Sequence, residues 1–185
     1  MNLPSMKFCS QCATPLRIEI PVGDNRPRHV CPSCGAIHYQ NPKMVVGCIP
    51  EWEDQILLCR RAIEPKYGLW TLPAGFMENG ETTAEGAARE TLEEAGARVE
   101  MLALYSMVSL PDINQVYLVY RAKLLHLDFI HGEESLEARL FSEAEMPWEE
   151  MAFRTIRHTL ERYYADRKVG EYGFHDSQIF HTPRP

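Results

Sequence analysis

Two apolar runs open the central part of the chain, KMVVGCIP at 43–50 and QILLCRRA at 55–62, with a polar break at 51–54. Their length and β-branched content predict a β-hairpin. GLWTLPAGF at 68–76 reads as extended chain. Beyond residue 82 the apolar spacing takes a helical period. Thr82 followed by Glu85 fits a capping box, and Gly96 fits a left-handed residue just past the last turn. Strands are predicted at 99–108, 116–125 and 136–141. A second helix is predicted from Pro147 through MAFRTIRHTLERYYADRK, with Phe153, Ile156, Leu160 and Tyr164 at the spacing of a core or subunit face. The last fifteen residues, EYGFHDSQIFHTPRP, have no clear period and are expected to pack along a neighbour or fray. Toward the N-terminus, LRIEI and RPRHV flank the turn residues Val22, Gly23, Asp24 and Asn25 and read as two short strands. Periodicity by itself assigns an α/β class.

Composition narrows the setting. A length of 185 residues allows one main domain and a small appendage, divided here into 1–40 and 41–185, with Tyr39, Gln40, Asn41 and Pro42 as the join. The net charge of −7, from 19 basic and 26 acidic residues, argues against broad nucleic-acid binding. No apolar run is long enough for a membrane span, and MNLPSMKFCS lacks the apolar core of an export signal. A cytoplasmic location is expected.

The most informative stretch is GFMENGETTAEGAARETLEEAGA at 75–97. On a helix, Glu90, Glu93 and Glu94 project within about 100° of arc. Ala84, Ala88, Leu92 and Ala95 fall on the other side and are expected to pack inward. Three carboxylates on one stripe repel each other unless a cation sits among them. Such oxygen-only donors suit Mg²⁺ or Mn²⁺. Gly86, on the same face, is expected to leave room for metal or substrate, and Gly75 to let the backbone approach a ligand. The competing reading is a solvated helix face with an ordinary Arg89–Glu93 pair; the flanking glycines and the preceding strand favour the metal site.

A second pattern lies upstream. Cys9 and Cys12, then Cys31 and Cys34, form two Cys-x2-Cys pairs separated by eighteen residues. This reads as a zinc ribbon in which four thiolates close the coordination sphere, so the Zn²⁺ is expected to be structural. Two disulfides are the alternative, disfavoured by the spacing and by the missing export signal. Cys48 and Cys59, in apolar runs, are expected to be buried free thiols.

The stretch at 75–97 resembles the Nudix box, G-x5-E-x7-R-E-U-x-E-E-x-G-U, where U is a bulky apolar residue. Gly75, Glu81, Arg89, Glu90, Glu93, Glu94 and Gly96 occupy its fixed positions; Thr91 and Ala97 stand at two U positions and are smaller than usual, which predicts weaker packing beneath the helix. The resemblance implies an α/β Nudix α/β/α sandwich with an N-terminal zinc-ribbon subdomain. It implies Glu90, Glu93 and Glu94 as ligands of Mg²⁺ or Mn²⁺, with the Gly75 carbonyl as a further one. It also implies Arg89 as the residue orienting them and Glu81 as a loop support or additional ligand. Nudix hydrolases often place a catalytic glutamate in a late loop, which points to Glu133, Glu134 or Glu137 beside a box glutamate as general base.

Within the family, NADH pyrophosphatases also carry a ribbon, together with an S-Q-P-W-P-F-P-x-S-like motif that the segment AGARVEMLALYSMVSLPDINQVYLVYRAKL lacks. The chain more closely resembles zinc-ribbon Nudix pyrophosphatases that cleave FAD and ADP-ribose. That resemblance implies an ADP-containing nucleotide as substrate, giving AMP plus FMN or ribose 5-phosphate. The alternatives are hydrolysis of NADH, NAD or an RNA cap, and a non-catalytic nucleotide sensor. No nucleic-acid partner is expected, and a homodimer is the expected assembly, with the ribbon supporting the N-terminus or the dimer. Trp70, Phe76, Tyr105 and Tyr117 are candidates for base stacking, and Arg60, Arg61 and Lys66 for phosphate contact.

Overall fold

The structure, a computed structural model, describes residues 6–180. The first five residues, part of the stretch read for an export signal, and the last five residues of the tail lie outside the described residues. The chain divides into two compact units, Met1–Asn41 and Pro42–Pro185.

The first unit is a three-stranded antiparallel sheet of β1 (Arg17–Glu19), β2 (Arg28–Val30) and β3 (Ile37–His38). Asp24 organises the β1–β2 turn. Its carboxylate accepts from the backbone N–H groups of Asn25 at 2.7 Å and Arg26 at 3.2 Å, and from Arg28 Nε at 2.8 Å. An aspartate that bonds the backbone two residues on closes a turn without help from the strands.

The second unit is built on an eight-stranded mixed sheet. Its strands are β4 (Lys43–Trp52), β5 (Gln55–Arg61), β6 (Trp70–Thr71), β7 (Ala74–Phe76), β8 (Val99–Leu110), β9 (Gln115–Leu124), β10 (Ser135–Ser142) and β11 (His175–Gln178). The main path runs β10-β5-β4-β9-β8-β11, with β6 paired to β5 and β7 to β4. The β4–β9 and β8–β11 pairs are parallel. Helix α1 (Thr83–Ala95) and helix α2 (Arg154–Val169) cover opposite faces, giving the α/β/α layering.

Alternation along the central strands assigns the faces. On β5, Ile56 and Leu58 pack with Ile156 and Leu160 of α2, while Leu57 and Cys59 pack with Ala95 and Ala97 at the end of α1. On β4, Ile49 joins the α2 side and Val46 contacts Ala87 of α1. All of these residues are fully or almost fully buried, and each large aliphatic side chain contributes about 1.5–3 kcal/mol of burial.

Three expectations need correction, and a fourth, that the tail packs along a neighbour, is borne out. The β4–β5 hairpin exists only at its tip, through the pairs Glu51↔Ile56 and Trp52↔Gln55; beyond it the strands separate, β7 pairing with β4 and β6 with β5. The residues from Pro147 form one 3-10 turn, Trp148–Glu150, and α2 starts at Arg154, after the extended Phe153. The tail is ordered as β11 through His175–Gln178, because the parallel edge of β8 offers it backbone partners. Finally, α1 is rotated relative to the expected orientation. Gly86, Ala87, Glu90, Thr91, Glu94 and Ala95 are its buried residues, whereas Leu92 is 47% exposed. Glu90 and Glu94 of the carboxylate stripe face inward, Glu94 onto the Ala74 N–H of β7, while Glu93 stays at the rim.

Candidate active site

The helix that carries the glutamates is fixed at both ends by local sequence. The Thr82 side chain accepts from Glu85 N–H at 3.2 Å, and the Glu85 carboxylate accepts from Thr82 N–H at 2.8 Å. Gly96 ends the helix at φ 65°, in the left-handed region where glycine costs least.

Arg89 is the hub of the acidic cluster. It binds both oxygens of Glu81, at 3.0 Å through Nε and 2.8 Å through Nη2. Its Nη1 donates to Glu90 at 2.8 Å and to Glu93 at 2.9 Å, and its Nη2 reaches the Phe76 carbonyl at 3.2 Å. Glu81 also accepts from Glu78 N–H at 2.7 Å, so it holds the loop between β7 and α1. The Arg89 guanidinium beside it lowers its carboxyl to about 2. Gly86 admits Glu81 and Val46 at close range, so its missing side chain serves packing rather than an open ligand space.

Glu90 and Glu94 are the buried members, and Glu93 sits at the rim with most of its side chain exposed. The Glu94 carboxylate accepts from Ala74 N–H at 3.1 Å. Burial, reinforced by the neighbouring Glu90 and Glu134, pushes its pKa up to about 8. Burial also raises Glu90, against the opposing pull of Arg89. Two buried carboxylates held this way favour any cation that can enter beside them.

The late loop meets this cluster through backbone. Gly132 N–H donates to the Glu94 carbonyl at 3.1 Å, and a side chain at Gly132 would collide with the Glu93 carbonyl. Gly96 is pressed equally closely against the Ile130 backbone. Two glycines thus let the loop lie against the end of α1, which delivers Glu133 and Glu134 to the site. Glu137 lies instead on β10, in register with Arg60.

Glu78, Glu90, Glu93, Glu94, Glu133 and Glu134 border one cavity of about 850 Å³. Strands β7, β4, β9 and β8 lie side by side beneath it. The cavity therefore spans three interstrand steps, about 14 Å, from Gly75 to Leu110. Its far part is apolar and aromatic, with Leu110, Ile113, Tyr117 and Phe153, and polar at Gln115 and Thr155. Arg61 and Lys66 supply the positive charge, and the Arg61 guanidinium lies 5.2 Å over the Phe153 ring.

Of the sequence-predicted contacts, Phe76, Tyr117, Arg61 and Lys66 line this cavity. Trp70 lies elsewhere: it is 6% exposed and packs edge-on against Phe141 at 4.8 Å, in the core. Tyr105 is likewise buried, with its hydroxyl on Asp166 at 3.0 Å. Arg60 is turned to the Gly68 carbonyl at 2.9 Å, because strand alternation sends it to the opposite face from Arg61. Phe153, Leu110, Ile113, Gln115 and Thr155 were not singled out as cavity residues by their sequence context. Their common signal, position at a strand or helix end, is too weak to identify them without the fold.

In the ribbon unit, Cys9, Cys12, Cys31 and Cys34 bring their sulfurs within 4.8 Å of one another. Individual separations are 3.7 Å for Cys9–Cys34, 3.4 Å for Cys12–Cys31 and 3.6 Å for Cys12–Cys34. A tetrahedron with zinc–sulfur bonds of about 2.3 Å has edges of roughly 3.8 Å, so the thiolates fit that ion closely. All six cysteines are free, and Cys48 and Cys59 are buried as expected.

Comparison with known proteins agrees with this geometry. The Nudix N-terminal zinc-ribbon model matches residues 7–40, and the NUDIX domain model matches residues 41–164. The chain belongs to the Nudix family. A crystal structure of a Nudix hydrolase from Nitrosomonas europaea is 60% identical, with a TM-score of 0.92, covering 95% of this chain and 99% of that one. The NAD-capped RNA hydrolase NudC of Chromobacterium violaceum is 33% identical over 166 residues, covering 88% of this chain and 60% of that protein. An ADP-ribose pyrophosphatase of Methanocaldococcus jannaschii is 31% identical over 113 residues, or 59% of this chain and 67% of that protein. The chain thus spans about three-fifths of the length of that NudC.

Nudix enzymes use divalent metals, and the donor set here fits such ions: oxygen-only, inward-facing and short of compensating charge. No helix among the described residues is long and apolar enough to cross a membrane.

Proposed function

We propose that this Nudix protein hydrolyses the pyrophosphate linkage of an ADP-containing nucleotide, FAD or ADP-ribose, releasing AMP together with FMN or ribose 5-phosphate. The observation that carries this reading is one cavity lined by an acidic cluster, two basic side chains and a group of aromatic and apolar side chains. A diphosphate needs the first two, and a nucleoside base needs the third.

Glu90, Glu93, Glu94 and the Gly75 carbonyl would hold Mg²⁺ or Mn²⁺. Such ions neutralise phosphate charge and make a bound water acidic enough to attack phosphorus. The chain's own groups do the remaining work. Arg89 keeps Glu90 and Glu93 oriented, and Glu81 keeps Arg89 and the preceding loop in place. Arg61 and Lys66 hold the outer phosphate oxygens, and Tyr117 and Phe153 cover the base. Glu134, close enough to act electrostatically on both Glu90 and Glu94, is the general base that accepts the proton of the attacking water. The thiolates of Cys9, Cys12, Cys31 and Cys34 would hold a structural Zn²⁺.

A second reading has a specific observation behind it. The NudC likeness extends over 88% of this chain, and that protein's name assigns it NAD-capped RNA, whose cap is itself an ADP-containing dinucleotide. The test is turnover of FAD, ADP-ribose, NADH, NAD⁺, diadenosine polyphosphates and a NAD-capped oligonucleotide with Mg²⁺ and Mn²⁺, with products identified. AMP release from FAD or ADP-ribose supports the first reading; a preference for the capped oligonucleotide supports the second. Glu94→Gln tests the mechanism in either case. Full activity in that variant would remove the carboxylate mechanism.

A further inference from the structure

None of residues 175–180 lines the cavity, yet the segment is bonded to Ser109 and Arg154, the chain neighbours of lining residues Leu110, Phe153 and Thr155. β11 pairs in parallel with β8, from His175↔Ser106 to Gln178↔Ser109. The next residue, Ile179, donates its N–H to the Ser109 carbonyl at 3.0 Å. Ser109 directly precedes Leu110, which lines the cavity. The Phe180 carbonyl then accepts from Arg154 Nη1 at 3.2 Å. Arg154 stands between Phe153 and Thr155, both of which line the cavity.

The other end of the segment is anchored in the core. His175 Nε2 lies 2.7 Å from Asp166 Oδ2, and the same oxygen accepts from the buried Tyr105 hydroxyl. His158 Nε2 and Ser177 Oγ, 3.1 Å apart, add a bond to the middle of α2. The segment is therefore firm at its start and tied at its finish to Ser109 of β8 and Arg154 of α2, each next in sequence to a lining residue.

We infer that residues 175–180 form a specificity strap, which sets the separation between Leu110 and the Phe153–Thr155 wall and thereby the fit of a purine base. This rests on the reading of the cavity as a nucleotide site. The physical lever is steep. Opening a stacked contact by 0.5–1 Å forfeits about a quarter to a half of its dispersion energy. It also carries the Gln115 amide and Thr155 hydroxyl, the polar groups at this end, out of register with the base edge. Arg154 and Ile179 act through the walls; they are positioning residues.

Calorimetric binding of AMP and GMP to the full chain tests the strap, with Ile179→Pro, Arg154→Ala and Arg154→Lys as variants. Proline removes the N–H donated to Ser109 and leaves the His175–Asp166 anchor intact. Ile179→Pro and Arg154→Ala should each weaken AMP binding about ten-fold and reduce the AMP-over-GMP preference, while Arg154→Lys keeps a donor and retains both. In steady-state assays on ADP-ribose, the first two variants should raise KM with kcat changed less than about two-fold. An unchanged AMP-over-GMP ratio in Arg154→Ala, or no AMP binding by the wild-type chain, would overturn the inference. Absence of turnover on every ADP-linked nucleotide would instead sink the enzymatic reading and leave the binding test standing.

Discussion

A side chain on Gly75 would occupy the space of the Glu90 carboxylate, overlapping both of its oxygens. The glycine is therefore required by its neighbour, because its φ is not in the left-handed region that would otherwise demand it. Gly75→Ala should displace Glu90 and disturb its bond to Arg89. The expected result is a drop of about 100-fold in kcat/KM with a far-ultraviolet circular dichroism spectrum like that of wild type. Wild-type turnover in this variant would show that Glu90 does not need its observed position.

Thr91 replaces the usual bulky apolar residue beneath the helix, and the structure contradicts the expected packing defect. It is fully buried, its hydroxyl donates to the Ala87 carbonyl at 2.8 Å, and it lies 2.8 Å from Cys48 Sγ. Thr91→Ile, which restores the family pattern, should destabilise by about 1–3 kcal/mol through overpacking against Cys48. Urea unfolding measures it. A midpoint at or above wild type would mean that the space beneath the helix is larger than these contacts indicate.

The raised pKa of Glu94 fixes a pH dependence. An unfolded glutamate releases its proton near 4.5, and the folded one near 8. The proton-linked stability is complete below about 4.5, falls as pH rises through this window and is gone above about 8. Thermal midpoints in magnesium-free buffer should therefore fall from pH 5 to pH 8. Added Mg²⁺ should raise the midpoint more at pH 8 than at pH 5, where protons compete for the carboxylates. Glu94→Gln should flatten both trends; an unaltered pH profile would remove Glu94 as their source.

Zinc removal gives a fourth expectation. Among its described residues the first unit has three short strands, and the four thiolates stand at the separation a tetrahedral ion imposes. Cys12→Ser should abolish stoichiometric zinc in elemental analysis and collapse the dispersed amide signals of residues 7–40. Retention of those signals without metal would assign the ribbon's stability to its hydrophobic contacts.

The difference between what was legible and what was not follows the range of the interactions. Thr82, Glu85 and Gly96 delimited α1 correctly, because caps are satisfied within four residues. Cys9 and Cys12 pointed to a four-cysteine cluster through spacing inside one turn, and the four sulfurs do come together. Leu92 misled, since helical periodicity separates two stripes without saying which one meets the sheet. Pro147 misled for a related reason. It suits a helix start, but α2 waits for Phe153 to leave the cavity wall.

By itself, the order of residues determined the family, the acidic and thiol clusters and both local scaffolds, since each of these depends on neighbours along the chain. Tertiary structure alone decided that Glu90 and Glu94 turn inward, that Arg61 rather than Arg60 faces the cavity, and that Trp70 belongs to the core. It also brought Glu134, Tyr117 and Phe153 around one space from three distant segments. The reason is physical: a long-range contact exists only once strand pairing has placed both partners, and a strand displaced by one residue would point every side chain to the other face.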